Sequence, residues 1–264
     1  MASEDIEAWA RALKKYPQPP TDAELAVFIE FLKAPSSDVW QLAPRIGAFY
    51  IKRFAESRVG IFWFMLGDAV NNLTSQNDKL AQLVLKLQRL PDGRGVLGPD
   101  PWWSDLPYFN NYWSEWQQFW SNPQTSDYLS NCQANINRNA FLAKMTARMG
   151  NVPVLDQRNR GGEALKHALE RTPVVEAHVL AAEPWIAYCA DNIYNRCLQG
   201  GVMSWDTPLT GTNFGVQKGW SKERWQYWRK RFQEISNAPR TKQPARDAAK
   251  RCAEKMQEVE TARG

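Results

Sequence analysis

The chain has 264 residues, enough for one large or two small domains, and its 44% hydrophobic and 23% charged content matches an ordinary globule. Its net charge of +5 is gathered in residues 218–264, where 13 Lys/Arg meet 6 interleaved Asp/Glu, a pattern of solvated helix faces and not of a nucleic-acid patch. The longest apolar run, Val59 to Leu66, is too short for a membrane span; Cys132, Cys189, Cys197 and Cys252 form no C-x-x-C pair, and no apolar leader precedes them, so reduced thiols in a cytoplasmic setting are expected.

Residues 1–20 read as an N-terminal arm. Thr21 and Glu24 form a capping-box pattern opening an amphipathic helix, with Leu25, Phe28, Ile29 and Leu32 on its apolar face and Pro35 closing it. A second helix spans about 38–53 through Pro44, with Ile46, Phe49 and Tyr50 facing inward. The stretch 61–73 is apolar nearly all round and predicts the most buried helix. Ser75 is expected to cap the next, where Leu80, Leu83, Val84, Leu87 and Leu90 recur at helical spacing. Residues 91–107 form a Gly/Pro-rich loop. Its Gly93-x-Gly95-x-x-Gly98 follows a helix and not a strand, so it is no dinucleotide fingerprint.

Trp113, Trp116 and Trp120 lie at i, i+3 and i+7. A long helix over about 126–148 ends at Gly150. A polar loop covers 151–162, a short helix 163–171, and a long helix 174–199 that contains Pro184 and stops at Gly200-Gly201. Ser221 caps a helix whose Trp225, Trp228 and Phe232 share one face, with Trp220 stapled against Trp225. A last helix covers 244–262. No stretch alternates with period 2, so the expected fold is all-α: a single-domain bundle of about nine to ten helices with an aromatic-rich core.

Four stretches resemble a fungal all-helical domain family of unknown function. They are Trp103-Ser-Asp-Leu-Pro-Tyr-Phe109, Asn137-Arg-Asn-Ala-Phe-Leu-Ala-Lys-Met-Thr146, Ala181-Ala-Glu-Pro-Trp-Ile-Ala-Tyr-Cys189 with Tyr194, and Pro208-Leu-x-Gly211 followed by Gly219-Trp-Ser-x-Glu-Arg-Trp-x-x-Trp-x-x-Arg-Phe232. The likeness runs from about residue 75 to the end, and the last motif is its most specific part. It implies single-domain helical proteins in a fungal setting, some beside secondary-metabolite genes, and no established catalytic residues.

The only histidines, His167 and His178, lack ligand spacing, and no G-x-S-x-G elbow, P-loop or aspartate-rich motif is present. The expected chemistry therefore uses no metal, cofactor or covalent nucleophile. His178, Trp185, Tyr188 and Asn192 fall on one helix face among Ala181, Ala182 and Cys189, where Pro184 bends the helix and can open a chamber. Tyr188 and Asn192 would donate hydrogen bonds to a substrate oxygen and His178 would shuttle a proton. Asp68, beside Asn71 and Asn72 on the apolar helix, is a further acid–base candidate. Trp63, Trp185, Tyr50, Asn139, Trp225 and Trp228 are the candidate substrate-binding residues; for each, plain core packing is the competing reading.

With the setting that the resemblance implies, these residues point to a cofactor-independent enzyme of fungal secondary metabolism. It would be a cyclase or a Diels–Alder-type cycloaddition or dehydration catalyst, a lyase or isomerase acting on an apolar terpenoid or polyketide intermediate. The alternative is a non-catalytic small-molecule carrier or a helical interaction scaffold. The expected partner is a hydrophobic small molecule, with no nucleic acid and no membrane span; oligomerisation is left open.

Overall fold

The computed structural model describes residues 5–51, 58–90, 103–115, 128–149, 152–171, 174–203 and 219–263. Trp116, Trp120, Gly150, the glycines at 93–98 and the Pro208–Gly211 motif lie outside the described residues. The chain divides into two compact units, Met1–Phe141 and Leu142–Gly264. Among the described residues there are eleven α-helices, so the expected all-α class holds, and both units are rich in buried aromatics.

The first unit holds α1 (Ile6–Leu13), α2 (Asp22–Lys33), α3 (Val39–Ile51), α4 (Val59–Asn72), α5 (Asn77–Gln88), α6 (Phe109–Glu115) and the start of α7 (Tyr128–Ala147). Helix α1 forms inside the expected arm because Asp5 caps it, its Oδ1 accepting from Ala8 N–H at 2.8 Å. The capping box of α2 is present, and Glu24 is buried with Arg58 as its ionic partner. At the other end of α2, the buried Lys79 ammonium donates to the carbonyls of Leu32 and Ala34, a cation at the negative pole of the helix. Ser75 does not cap α5. The chain leaves α4 through a 3₁₀ turn, Thr74–Gln76, which Asn137 binds by donating to Asn71 O and Thr74 Oγ1, each at 2.9 Å.

The core of this unit is a run of touching rings. Trp9 meets Phe28 at 5.8 Å between centroids, Phe28 meets Phe62, and Phe62 meets both Tyr50 (5.0 Å) and Trp63 (4.8 Å). Trp63 continues to Phe109 (5.1 Å), then Trp113, which stacks on Phe141 at 4.9 Å. The Trp103–Phe109 motif makes a tight turn with Leu106 and Tyr108 in the left-handed region (φ 45° and 64°). That turn aims Pro107 O at the Trp63 indole N–H, 2.6 Å away.

The second unit holds the end of α7, then α8 (Arg158–Leu169), α9 (Glu176–Gln199), α10 (Lys222–Ser236) and α11 (Gln243–Arg263). Helix α8 begins at Arg158 and not near Glu163, so Gly161 and Gly162, expected in a loop, are helical. Their missing side chains make room for indoles: a Cβ at Gly161 would lie 2.7 Å from Trp185, and one at Gly162 2.7 Å from Trp220. The N-cap of α10 is Ser221, as expected, accepting from Arg224 N–H. Trp220 packs edge-on against Trp228 at 6.1 Å, while Trp225 meets Tyr194.

Arg224 lies at the centre of this unit, only 2% exposed. Its Nε and Nη2 donate to the two Glu170 oxygens at 2.7 and 2.9 Å, and its Nη1 donates to Gly219 O at 2.8 Å. Trp228 Nε1 adds a third donor to Glu170 at 2.8 Å. Gly219 itself has φ 87°, and a Cβ there would fall on the Gly201 carbonyl oxygen, the acceptor of Trp220 N–H. On the outer faces of α10 and α11 the basic surplus is laced with acids, among them Arg229–Glu260, Arg251–Glu183, Lys255–Glu258 and Arg263–Asp191. Such pairs, where exposed, contribute little stability and keep the faces solvated.

Arg224→Ala leaves Glu170 buried without its cation and should cost about 3–5 kcal/mol. Gly161→Ala drives a methyl into the Trp185 ring and should cost about 1–3 kcal/mol. Urea unfolding midpoints of both variants check these values.

Candidate functional site

On α4, Ile61, Phe64 and Asp68 follow at i, i+3 and i+7 and so share one face. Opposite that face runs the connection between α1 and α2, Tyr16-Pro-Gln-Pro-Pro20, whose prolines cannot continue a helix. Tyr16 comes off this connection onto Phe64, edge to face at 4.8 Å, and its hydroxyl donates to Asp68 Oδ2 at 3.2 Å. Asp68 Oδ1 accepts from Trp9 Nε1 at 2.8 Å and from Asn72 Nδ2 at 3.0 Å.

The carboxyl of Asp68 is 8% exposed, and all three of these donors are neutral. Burial raises its pKa above the ordinary carboxylate value, and the three hydrogen bonds only partly pull it back. Burial and then the negative charge of Asp68 push the Tyr16 phenol upward as well. Tyr16, 44% exposed, reaches from this carboxylate to the wall of an open groove of about 600 Å³. Pro17, Ile61 and Phe64 supply apolar walls, Gly60 lies beside them, and Gln18 and Arg58 are the polar members. Arg58 is engaged by Glu24 through Nε at 2.9 Å and through Nη2. A proton acceptor held behind a phenol that faces an apolar groove is a constellation for proton transfer.

The other sequence candidates are distributed as follows. In the first unit, Trp63 and Tyr50 are buried in the aromatic run, and Asn139 Nδ2 donates back along its own helix to Asn135 O at 2.8 Å. In the second unit, Trp185 is fully buried against Gly161, whereas Tyr188 is 48% exposed with the Lys144 ammonium 5.3 Å from its ring centre. The two therefore do not present one chamber wall. Asn192 donates to Thr146 O at 3.4 Å, Trp225 to Glu260 at 2.7 Å and Trp228 to Glu170.

His178 meets His167, on the adjacent helix, with ring centres 6.0 Å apart. Burial, helped by His167 and Arg171, lowers its pKa to about 4. Burial also pushes the Cys189 and Cys197 thiols up to about 12. Among the described residues no three His, Cys, Asp or Glu side chains converge as metal ligands.

Sequence spacing alone identified Asp68 but missed Tyr16, Trp9 and the groove. The usable signal was the Ile61–Phe64–Asp68 stripe, a single acid on an otherwise apolar face; nothing in the sequence pointed to Tyr16, 52 positions away.

The family described as "Protein of unknown function (DUF3632)" matches residues 63–232, which include Asp68 and end at Phe232 of α10. No curated protein and no solved structure matches the chain. No helix among the described residues is long and apolar enough to cross a membrane.

Because the folded His178 pKa is depressed, the unfolded chain binds this proton first. Stability should fall as pH drops from about 6.5 to about 4, by an amount on the order of 3 kcal/mol. His178→Gln should flatten that slope in thermal melts taken across the same range.

Proposed function

The chain belongs to the DUF3632 family, and within it we propose a cofactor-independent enzyme of fungal secondary metabolism that cyclises or dehydrates an apolar terpenoid or polyketide intermediate by proton transfer at the Asp68–Tyr16 groove. One observation carries the reading: a buried carboxylate, met by neutral donors, is linked to the groove by the Tyr16 hydroxyl. The fungal setting and the class of intermediate come from the resemblance of the Trp-Ser-x-Glu-Arg-Trp-x-x-Trp stretch and its companions.

A carbon beside a substrate carbonyl loses its proton to the Tyr16 oxygen while the Tyr16 proton passes to Asp68 Oδ2. The electron pair left on the substrate forms an enolate. It then attacks a second carbonyl, closing a ring, or expels a β-hydroxyl, forming a double bond. The proton on Asp68 returns through Tyr16 to the oxygen that has gained the charge. The raised pKa of Asp68 makes it a stronger base than an exposed aspartate. A concerted [4+2] cycloaddition moves no proton and draws nothing from this pair, so aldol-type cyclisation and dehydration are the favoured reactions.

Deuterium exchange into 2-tetralone in D2O, followed by NMR, tests the step without knowledge of the natural substrate. The wild-type protein should accelerate exchange, and Asp68→Asn and Tyr16→Phe should each lose about a hundredfold. Asp68 must be ionised to accept the proton, so the rate should rise with pH through a midpoint above the ordinary aspartate value of about 3.9. Exchange at the buffer rate, with the ketone bound, would identify a carrier instead.

A further inference from the structure

Gly60 is an exposed residue in the first turn of α4. Glycine weakens a helix because it gives up the most backbone freedom on folding, so a helical glycine calls for a reason. Packing supplies one elsewhere. A Cβ at Gly47 would strike Leu90, one at Gly161 would strike Trp185, and one at Gly162 would strike Trp220 and Met203. At Gly60 an added Cβ would meet nothing within 4 Å. The open space in front of it is the groove lined by Tyr16, Ile61 and Phe64.

The charge of that groove is also settled locally. Among its described lining residues the one cation, Arg58, is matched by the buried carboxylate of Glu24, which takes two guanidinium nitrogens. The remaining lining groups are a phenol, an amide and hydrocarbon. An anionic ligand would lie near the buried negative charge of Asp68, which already raises the pKa of Tyr16. A neutral one would not be repelled.

We propose that Gly60 is kept bare to admit a ligand, and that this ligand is a neutral, flat, apolar molecule lying over Gly60 between Phe64 and Pro17 with a single hydroxyl or carbonyl at Tyr16. The inference rests on the groove reading above and deepens it by naming the class of molecule bound. The flat body follows from the absent Cβ, since a planar ring system gains dispersion contact by approaching bare backbone closely. The single polar end follows from the Tyr16 hydroxyl, the one hydroxyl among the described lining residues, beside the apolar walls.

The test uses 2-naphthol and its anionic counterpart 2-naphthoate as probes, titrated calorimetrically into the full chain at pH 7. The wild type should bind 2-naphthol at least about tenfold more tightly than 2-naphthoate. Gly60→Leu fills the open space and should weaken 2-naphthol binding by about tenfold or more while leaving the Tm unchanged or higher. Gly60→Ala serves as the smaller step and should give an intermediate loss with the same Tm behaviour. Equal affinity for naphthol and naphthoate, no binding of 2-naphthol, or Gly60→Leu binding like the wild type would each overturn the proposal.

The outcome is separable from that of the proton-transfer reading. Naphthol binding that responds to Gly60→Leu, alongside tetralone exchange indifferent to Asp68→Asn, sinks the chemistry and keeps the ligand class. The reverse pattern sinks the ligand class alone.

Discussion

An indole can be buried cheaply only when its N–H finds an acceptor, because an unpaired polar group away from water costs about 1–3 kcal/mol. In this chain carboxylates repeatedly play that part. Trp9 donates to Asp68, Trp228 to Glu170 and Trp225 to Glu260. For Asp68 and Glu170 the pairing solves one problem and creates another, since the carboxylate is buried with the ring. The three acids are then treated differently, and the differences account for much of what the two units do.

Glu170 is neutralised. Arg224 faces it with a two-pronged guanidinium, and the rest of the Gly219–Trp228 motif holds Arg224 in place: a left-handed glycine, a serine cap and Trp228 on the far side of the carboxylate. Glu260 remains near the surface with Arg229. Of the three, Asp68 is bonded only by neutral donors among the described residues, and its pKa is raised. A buried acid in that state is a liability for stability and an asset for proton transfer, which is why a carboxylate with a raised pKa beside a groove is a better functional candidate than an ion-paired one in a core.

Room is rationed by the same logic. Gly161 and Gly162 are spent on seating Trp185 and Trp220, which turns a sequence that reads as a loop into a helix with two flat landing sites. Gly60 seats nothing in the core. Among the described residues, Trp9, Trp63, Trp220, Trp225 and Trp228 donate their indole N–H groups within the fold, and the candidate chemistry is found at a tyrosine and an aspartate beside Trp9.

Much of the architecture was legible in one dimension. Apolar spacing, the Thr21–Glu24 box, the Ser221 cap and the stops near Pro35, Gly200 and Ser236 are local signals, because helix formation depends on neighbours within about four residues. Those same signals failed at Ser75 and at Gly161-Gly162, where Asn137 and two distant indoles overrode them. The grouping of Tyr16 and Trp9 around Asp68, and of His167 with His178, joins residues 52, 59 and 11 positions apart in the chain. Periodicity says which face a side chain occupies but not what arrives opposite it. Only the packing of α1 and its proline-rich exit onto α4 decided that one buried acid would be bonded by an indole, an amide and a phenol beside an open groove.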